Sequence, residues 1–135
     1  MKRCAVLIVK CDTRKTSHRQ ALERRGFHVS ETDEWPDDGV VKAHEVVIVV
    51  LRHLEAVAML AARMRAKPGF GHRVLIGVSR STPTNDQRQA GVISGFDDVV
   101  AESADSRTLL ARILQRLRAR PEYRCLLPER KRSAA

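Results

Sequence analysis

Residues 94–120 read SGFDDVVAESADSRTLLARILQRLRAR. Gly95 and the pair Asp97-Asp98 mark a turn, because glycine ends helices and aspartate hydrogen-bonds to nearby backbone. The residues from Val99 to Ala101 form a short apolar block. Asp105 or Ser106 then offers a side-chain oxygen to the free amides of a helix start. Leu109, Leu110, Ile113, Leu114 and Leu117 recur at helical spacing while Arg107, Arg112, Arg116 and Arg118 take other positions, and Pro121 ends the pattern. A turn, a strand and an amphipathic helix in direct succession read as one unit of a layered α/β domain.

The same unit recurs along the rest of the chain. Ala5 to Val9, Val46 to Leu51 and Val74 to Val78 are continuous runs rich in Val and Ile, the pattern of strands buried on both faces of a parallel sheet. Phe27 to Thr32 supplies a less apolar strand. Helices fill the intervals. Thr16 to Arg25 stops at Gly26 with two arginines in its last turn, where cations suit the helix dipole. Leu54 to Lys67 is rich in Ala, Met, Leu and Arg and is stopped by Pro68-Gly69. Asn85 to Ser94 reads as a helix interrupted by Gly91 and ended by Gly95, and Pro36 to Lys42 provides a short helix. Strands and helices in strict alternation, joined by right-handed crossovers, predict an α/β fold: a doubly wound, five-stranded parallel sheet with helices on both faces. This domain spans residues 1–120, and residues 121–135 form a basic C-terminal tail expected to be partly mobile.

At 135 residues the chain is long enough for one hydrophobic core and too short for two ordinary domains. Lys10 ends the first apolar run below the ~7–15 residues of a secretory signal core. No run approaches the ~18 residues of a membrane span. Cys4, Cys11 and Cys125 are odd in number and lack metal-ligand spacing, so neither a disulfide framework nor a zinc site is supported and a cytoplasmic location is expected. The formal net charge of +9 predicts attraction to polyanions or acidic protein surfaces without fixing which.

Three stretches resemble bacterial response-regulator receiver domains, over roughly residues 4 to 120. AVLIVKCD, residues 5–12, is similar to the first strand, which in that family runs into an acidic pair. ALERRGFHV, residues 21–29, resembles the end of the first helix and the second strand. The Gly-x-Asp-Asp turn of residues 95–98, followed by strand and helix, is the most specific match. The resemblance implies a flavodoxin-like fold. It also implies a place for phosphoryl transfer at the C-terminal edge of the sheet, where acidic side chains hold Mg²⁺ around a nucleophilic aspartate, with a hydroxyl and a lysine nearby.

Those places are altered here. Lys10 and Cys11 stand where the acidic pair belongs, with Asp12 beside them, and Val50 stands in the nucleophile's place. The hydroxyl position falls on Val78, or on Ser79 if the register slips by one, and the lysine position falls on Glu102. The aromatic switch position is Val99. The loop that normally follows the third strand is replaced by RHLEAVA, residues 52–58. The resemblance therefore implies a pseudo-receiver: no catalytic residue, no cofactor, no metal, and action by binding a signalling or regulatory protein. The family's contact face, carried over residue by residue, falls on Arg88 and Gln89 of the fourth helix, Val99 of the fifth strand, and Arg107, Arg112, Arg116 and Arg118 of the fifth helix. It allows a homodimer.

Other readings stay open. Lys10 and Glu102 exchange the family's charges, so a reversed ion pair could close the old pocket. Cys11 beside Lys10 could be a redox thiol, and His44 and His53 could approach it to hold a metal; each is more ordinarily a packing or solvent-facing residue. Trp35 is either a partner anchor or a lid over the sheet edge. The arginine face and the tail also suit nucleic-acid phosphates, though no helix-turn-helix, aromatic platform or phosphate loop accompanies them.

Overall fold

The structure, a computed structural model, describes residues 3–10, 18–52, 57–68 and 70–126. Five strands, β1 (Ala5–Val9), β2 (His28–Thr32), β3 (Val46–Leu51), β4 (Val74–Ser79) and β5 (Asp98–Ala101), form one parallel sheet in the order β2-β1-β3-β4-β5. Between and after them run α1 (Arg19–Arg24), α2 (Asp38–Lys42), α3 (Val57–Arg65), α4 (Asn85–Ser94), α5 (Ser106–Arg118) and a 3-10 helix, Pro121–Leu126. This is the doubly wound arrangement that the alternation of apolar runs predicts.

Two cores follow from the period of the strands, whose alternate side chains face opposite sides. On one side Val6, Ile8, Val46, Ile48, Val50, Ile76, Val78 and Val100 pack against Leu22 of α1 and Leu109, Leu110, Ile113 and Leu117 of α5. On the other, Leu7, Val9, Val47, Val49, Leu51, Leu75 and Val99 meet Val41, Ala61, Met64, Phe70 and Phe96. Every residue of β1, β3 and β4 is buried, which is why these strands read as unbroken apolar runs.

Helix ends follow local chemistry. Asp37 caps α2 by accepting from the Val40 amide at 2.9 Å, and Asp105 caps α5 by accepting from the Arg107 amide at 2.9 Å. That bond, with the Arg107 side chain, holds the Asp105 carboxyl below its ordinary pKa. Thr84 and Gln87 form a reciprocal capping box, so α4 runs through Gly91 uninterrupted. The 3-10 helix begins inside the stretch that sequence assigns to the tail, and its Tyr123 packs against the α1–α5 core.

An arginine scaffold closes the N-terminal edge. Asp97 accepts from the Leu75 amide (2.8 Å), from Arg65 (3.1 Å) and from Arg120 (2.9 Å), tying β4, α3 and the end of α5 to one carboxylate. Arg73 donates to the carbonyls of Val41, Lys42, His44 and Phe70. At Gly95 the backbone turns with φ 128°, and a Cβ there would lie 3.0 Å from Arg65 Cγ. Beneath this edge lies Cys4, 2% exposed, whose thiol is pushed up to about 12 by burial and by the nearby Glu45 carboxylate.

Trp35 is half-buried against the second core, with Arg63 and Lys67 over its ring at 4.5 and 5.7 Å, which favours the lid reading. Gly77 of β4 gives the same core its fit: a Cβ there would meet Leu51 Cδ1 at 3.1 Å and Phe96 Cε1 and Val99 Cγ2 at 3.4 Å. Gly77→Val is therefore expected to lower the free energy of unfolding by about 1–3 kcal/mol, the usual cost of overpacking, as read from urea melts.

Candidate functional site

The C-terminal edge of the sheet is assembled from the ends of β1, β3, β4 and β5. In register, Val9 lies beside Val49 and Thr32, Val50 beside Val78, and Ser79 beside both Leu51 and Ala101. Val50, at the place of the nucleophile, is 2% exposed and packs in the α1–α5 core with Val78. Ser79, the last residue of β4, is fully buried, and its hydroxyl has no hydrogen-bond partner. Val99 is fully buried in the opposite core, above Gly77.

Charge stands on the flanks of this apolar centre. Lys10 pairs with Glu31 of β2 at 3.5 Å, and Arg19 of α1 reaches the same carboxylate at 3.3 Å. On the far flank Arg80, just after β4, pairs with Glu102, just after β5. The reversed pair between Lys10 and Glu102 is thus corrected: each residue takes a partner on the neighbouring strand. The sheet order explains it. β3 and β4 lie between β1 and β5, so three strand spacings of about 4.8 Å separate the two positions, against one spacing to Glu31 or Arg80.

His18, which sequence reading did not single out, ties α1 to this edge. It is 4% exposed, and its Nδ1 lies 2.8 Å from Ser106 Oγ while Nε2 lies 3.1 Å from the Glu102 carbonyl oxygen. A carbonyl only accepts, so Nε2 carries the proton and donates, which leaves Nδ1 to accept from the Ser106 hydroxyl in the neutral ring. Nothing in the local sequence marks His18, and only the fold shows that residues 18, 102 and 106 converge.

Mg²⁺ does not fit the described side chains. It requires oxygen ligands in near-octahedral geometry, whereas this edge presents an ammonium group at Lys10 and a methyl-bearing side chain at Val50. Among the described residues no three His, Cys, Asp or Glu side chains are grouped to hold a metal. Cys11, Asp12 and His53 lie outside the described residues. His44 is buried with Nδ1 donating to the Val40 carbonyl at 2.6 Å.

This parallel sheet of order 2-1-3-4-5, with its helices, aligns with solved structures of response regulators. The orphan regulator HP1043 of H. pylori superposes with TM-score 0.65 and 21% identity over 86% of this chain and 99% of its own. A response regulator from Thermotoga maritima gives TM-score 0.70 and 19% identity over 85% of this chain and 98% of its own. The chain has the receiver fold. A third similar structure is an atypical orphan response regulator described as having a phosphorylation-independent regulatory mechanism, at TM-score 0.66 and 22% identity over 84% of this chain and 95% of its own. No family model matches the sequence, and no curated protein does.

In the receiver fold the remaining candidates fall on the α4–β5–α5 face. Ile93 and Val92 of α4 are 86% and 47% exposed and border a cleft of about 310 Å³ with Arg88, Gln89 and Asp98. Asp98 is held by Arg112 at 3.3 Å and Arg88 at 3.8 Å, and Arg107 pairs with Asp105 at 3.1 Å. Three arginines chosen from sequence as contact residues are thus engaged by this chain's own carboxylates. Arg116 and Arg118 lie further along α5, in its last turn. The apolar pair Val92 and Ile93, which no sequence argument ranked, is the more conspicuous feature of the face. Their exposure was hidden in sequence because Val and Ile read as core.

The His18 latch is the element of this edge that can be tested without a ligand. His18→Ala removes both ring contacts, and unfolding in urea is expected to become easier by about 1–3 kcal/mol, whereas a change below ~0.5 kcal/mol would make the latch incidental.

Proposed function

We propose that this chain is a receiver that does not accept phosphate and acts by binding a signalling or regulatory protein, a second copy of itself included, in the bacterial cytoplasm. The observation that carries this reading is Val50. A buried valine fills the nucleophile's place, its neighbour in register on β4 is Val78, and Lys10 and Glu102 are each paired with another residue of the edge. Receiver domains are regulatory rather than enzymatic, and the proposal includes no enzymatic activity. No helix among the described residues is long and apolar enough to cross a membrane.

Two features support the α4–β5–α5 face as the contact surface. Exposed apolar side chains flanked by charged residues are what a partner's hydrophobic core requires. Asp98 is engaged by both Arg88 and Arg112, so docking need not leave that carboxylate buried without a partner. Val99 is buried by packing over Gly77, so the β5 side of the face presents no aromatic switch side chain.

Incubation with acetyl phosphate and Mg²⁺ should leave the intact mass unchanged, and beryllofluoride should not alter the NMR spectrum. An alkali-labile gain of one phosphate overturns the reading. Val50→Asp should not rescue uptake, and it should cost about 3–5 kcal/mol because the new carboxylate is buried without a partner. The surface is tested separately. Ile93→Asp should weaken self-association in sedimentation equilibrium, or capture of the partner after nuclease treatment, by at least tenfold at unchanged melting temperature. Unaltered binding by that variant assigns the interface elsewhere.

A further inference from the structure

Residues 31–38 read ETDEWPDD, five carboxylates within eight positions of a chain whose net charge is +9. Three of them serve the fold: Glu31 pairs with Lys10 and Arg19, Asp38 with Lys67, and Asp37 caps α2 through the Val40 amide. Asp33 and Glu34 are exposed. The segment lies where β2 gives way to α2, and β2 is the edge strand opposite to β5.

A cleft opens here because α2 is short. Its five residues bury only Val41 against the second core, whereas α5 buries four of thirteen. Val29 of β2 packs toward α1 and α5, so by alternation Ser30 faces the α2 side, where the other strands present Leu7, Val47, Leu75 and Val99. The result is a cleft of about 360 Å³ walled by Leu7, Ser30, Glu34, Trp35, Val40 and His44, at the small end of ligand sites. His44 is 8% exposed, and its Nδ1 donates to the Val40 carbonyl at 2.6 Å. In the neutral ring Nε2 is then a lone-pair acceptor, and among the described residues it has no hydrogen-bond partner. No lysine or arginine is among the described residues that line the cleft. Arg63 and Lys67 lie over the Trp35 ring instead.

We propose that this cleft binds a small organic cation, an aliphatic amine or guanidine. Three acceptors of different elements line it, the His44 Nε2 lone pair, the Ser30 hydroxyl oxygen and the Glu34 carboxylate, and a cationic N–H makes the stronger kind of hydrogen bond to each. Leu7, Val40 and Trp35 offer apolar wall to an aliphatic stem. An anion would meet a carboxylate and no cation. The chain's overall charge acts weakly here, because exposed charges more than about 8 Å away are largely screened at physiological salt. The cleft stands at the β2 edge and the α4 face near the β5 edge, so binding at one is testable apart from the other.

Trp35 is the chain's one tryptophan, so its fluorescence reads the cleft directly. In the full chain, agmatine, which carries a guanidine and an amine on a butyl stem, should shift the emission saturably with a dissociation constant of about 1 mM or lower. KCl at matched ionic strength and sodium butyrate should leave it unchanged. His44→Asn keeps an amide donor for the Val40 carbonyl and removes the Nε2 acceptor, so affinity should fall about tenfold, the worth of one hydrogen bond to a charged group. Glu34→Gln, whose side chain is exposed, should weaken binding about two- to fivefold. Arg107→Gln should match the parent, and melting temperatures verify that each variant is folded. No saturable shift up to ~10 mM agmatine overturns the proposal. So does parental affinity in folded His44→Asn, or competition by butyrate; if His44→Asn does not fold, parental affinity in Glu34→Gln decides against it. A Gly-Arg-Gly peptide that binds at least tenfold more tightly than agmatine overturns it as well, since the cleft would then belong to an arginine of a partner protein.

Discussion

The central strands are apolar to their tips, and that constraint shapes the rest of the molecule. Val9, Val50 and Val78 carry the two cores up to the C-terminal edge of the sheet, each 5% exposed or less. An ion at the middle of that edge would lose its water without gaining a partner, at a cost of several kcal/mol. Lys10 and Glu102 accordingly sit on its flanks and pair along the nearest strand, Lys10 toward β2 and Glu102 toward β4. The same geometry leaves ion pairs on both flanks, and His18 fastens α1 to the β5–α5 loop.

At the opposite edge the same problem, exposed carbonyls at strand and helix ends, is solved with arginine. Arg73 alone satisfies carbonyls from four residues, and Arg65 and Arg120 share Asp97 while also donating to the carbonyls of Gly95, Arg73 and Arg116. A planar group with several fixed donors can do this, and an ammonium group cannot. Much of the chain's positive charge is therefore architectural. The basic composition overstates the charge available to a partner.

The elements were legible because their causes are local. Val46–Leu51 and Asn85–Ser94 have the same limits in sequence and structure, the first as an unbroken β-branched run and the second between a capping threonine and Gly95. Gly91 proved harmless within α4, since the capping box and packing hold the helix around it. Pairing was less legible because it depends on strand order. Lys10 and Glu102 look complementary when read as letters, yet two strands separate theirs, and His18 reaches residues 84 and 88 positions away. Arg112 looked free on its helix because nothing in the spacing of α5 shows that Asp98 lies against it.

These assignments divide the surface by the kind of force available at each place. On α4 the apolar side chains of Ile93 and Val92 stand among charges already matched, so association there draws on burial of apolar area and changes little with salt. At the N-terminal edge Arg65 and Arg120 share Asp97 and Arg73 donates to four carbonyls, so these guanidinium groups serve the fold first. A basic α/β domain of this kind would therefore bind a protein at α4 with little dependence on salt.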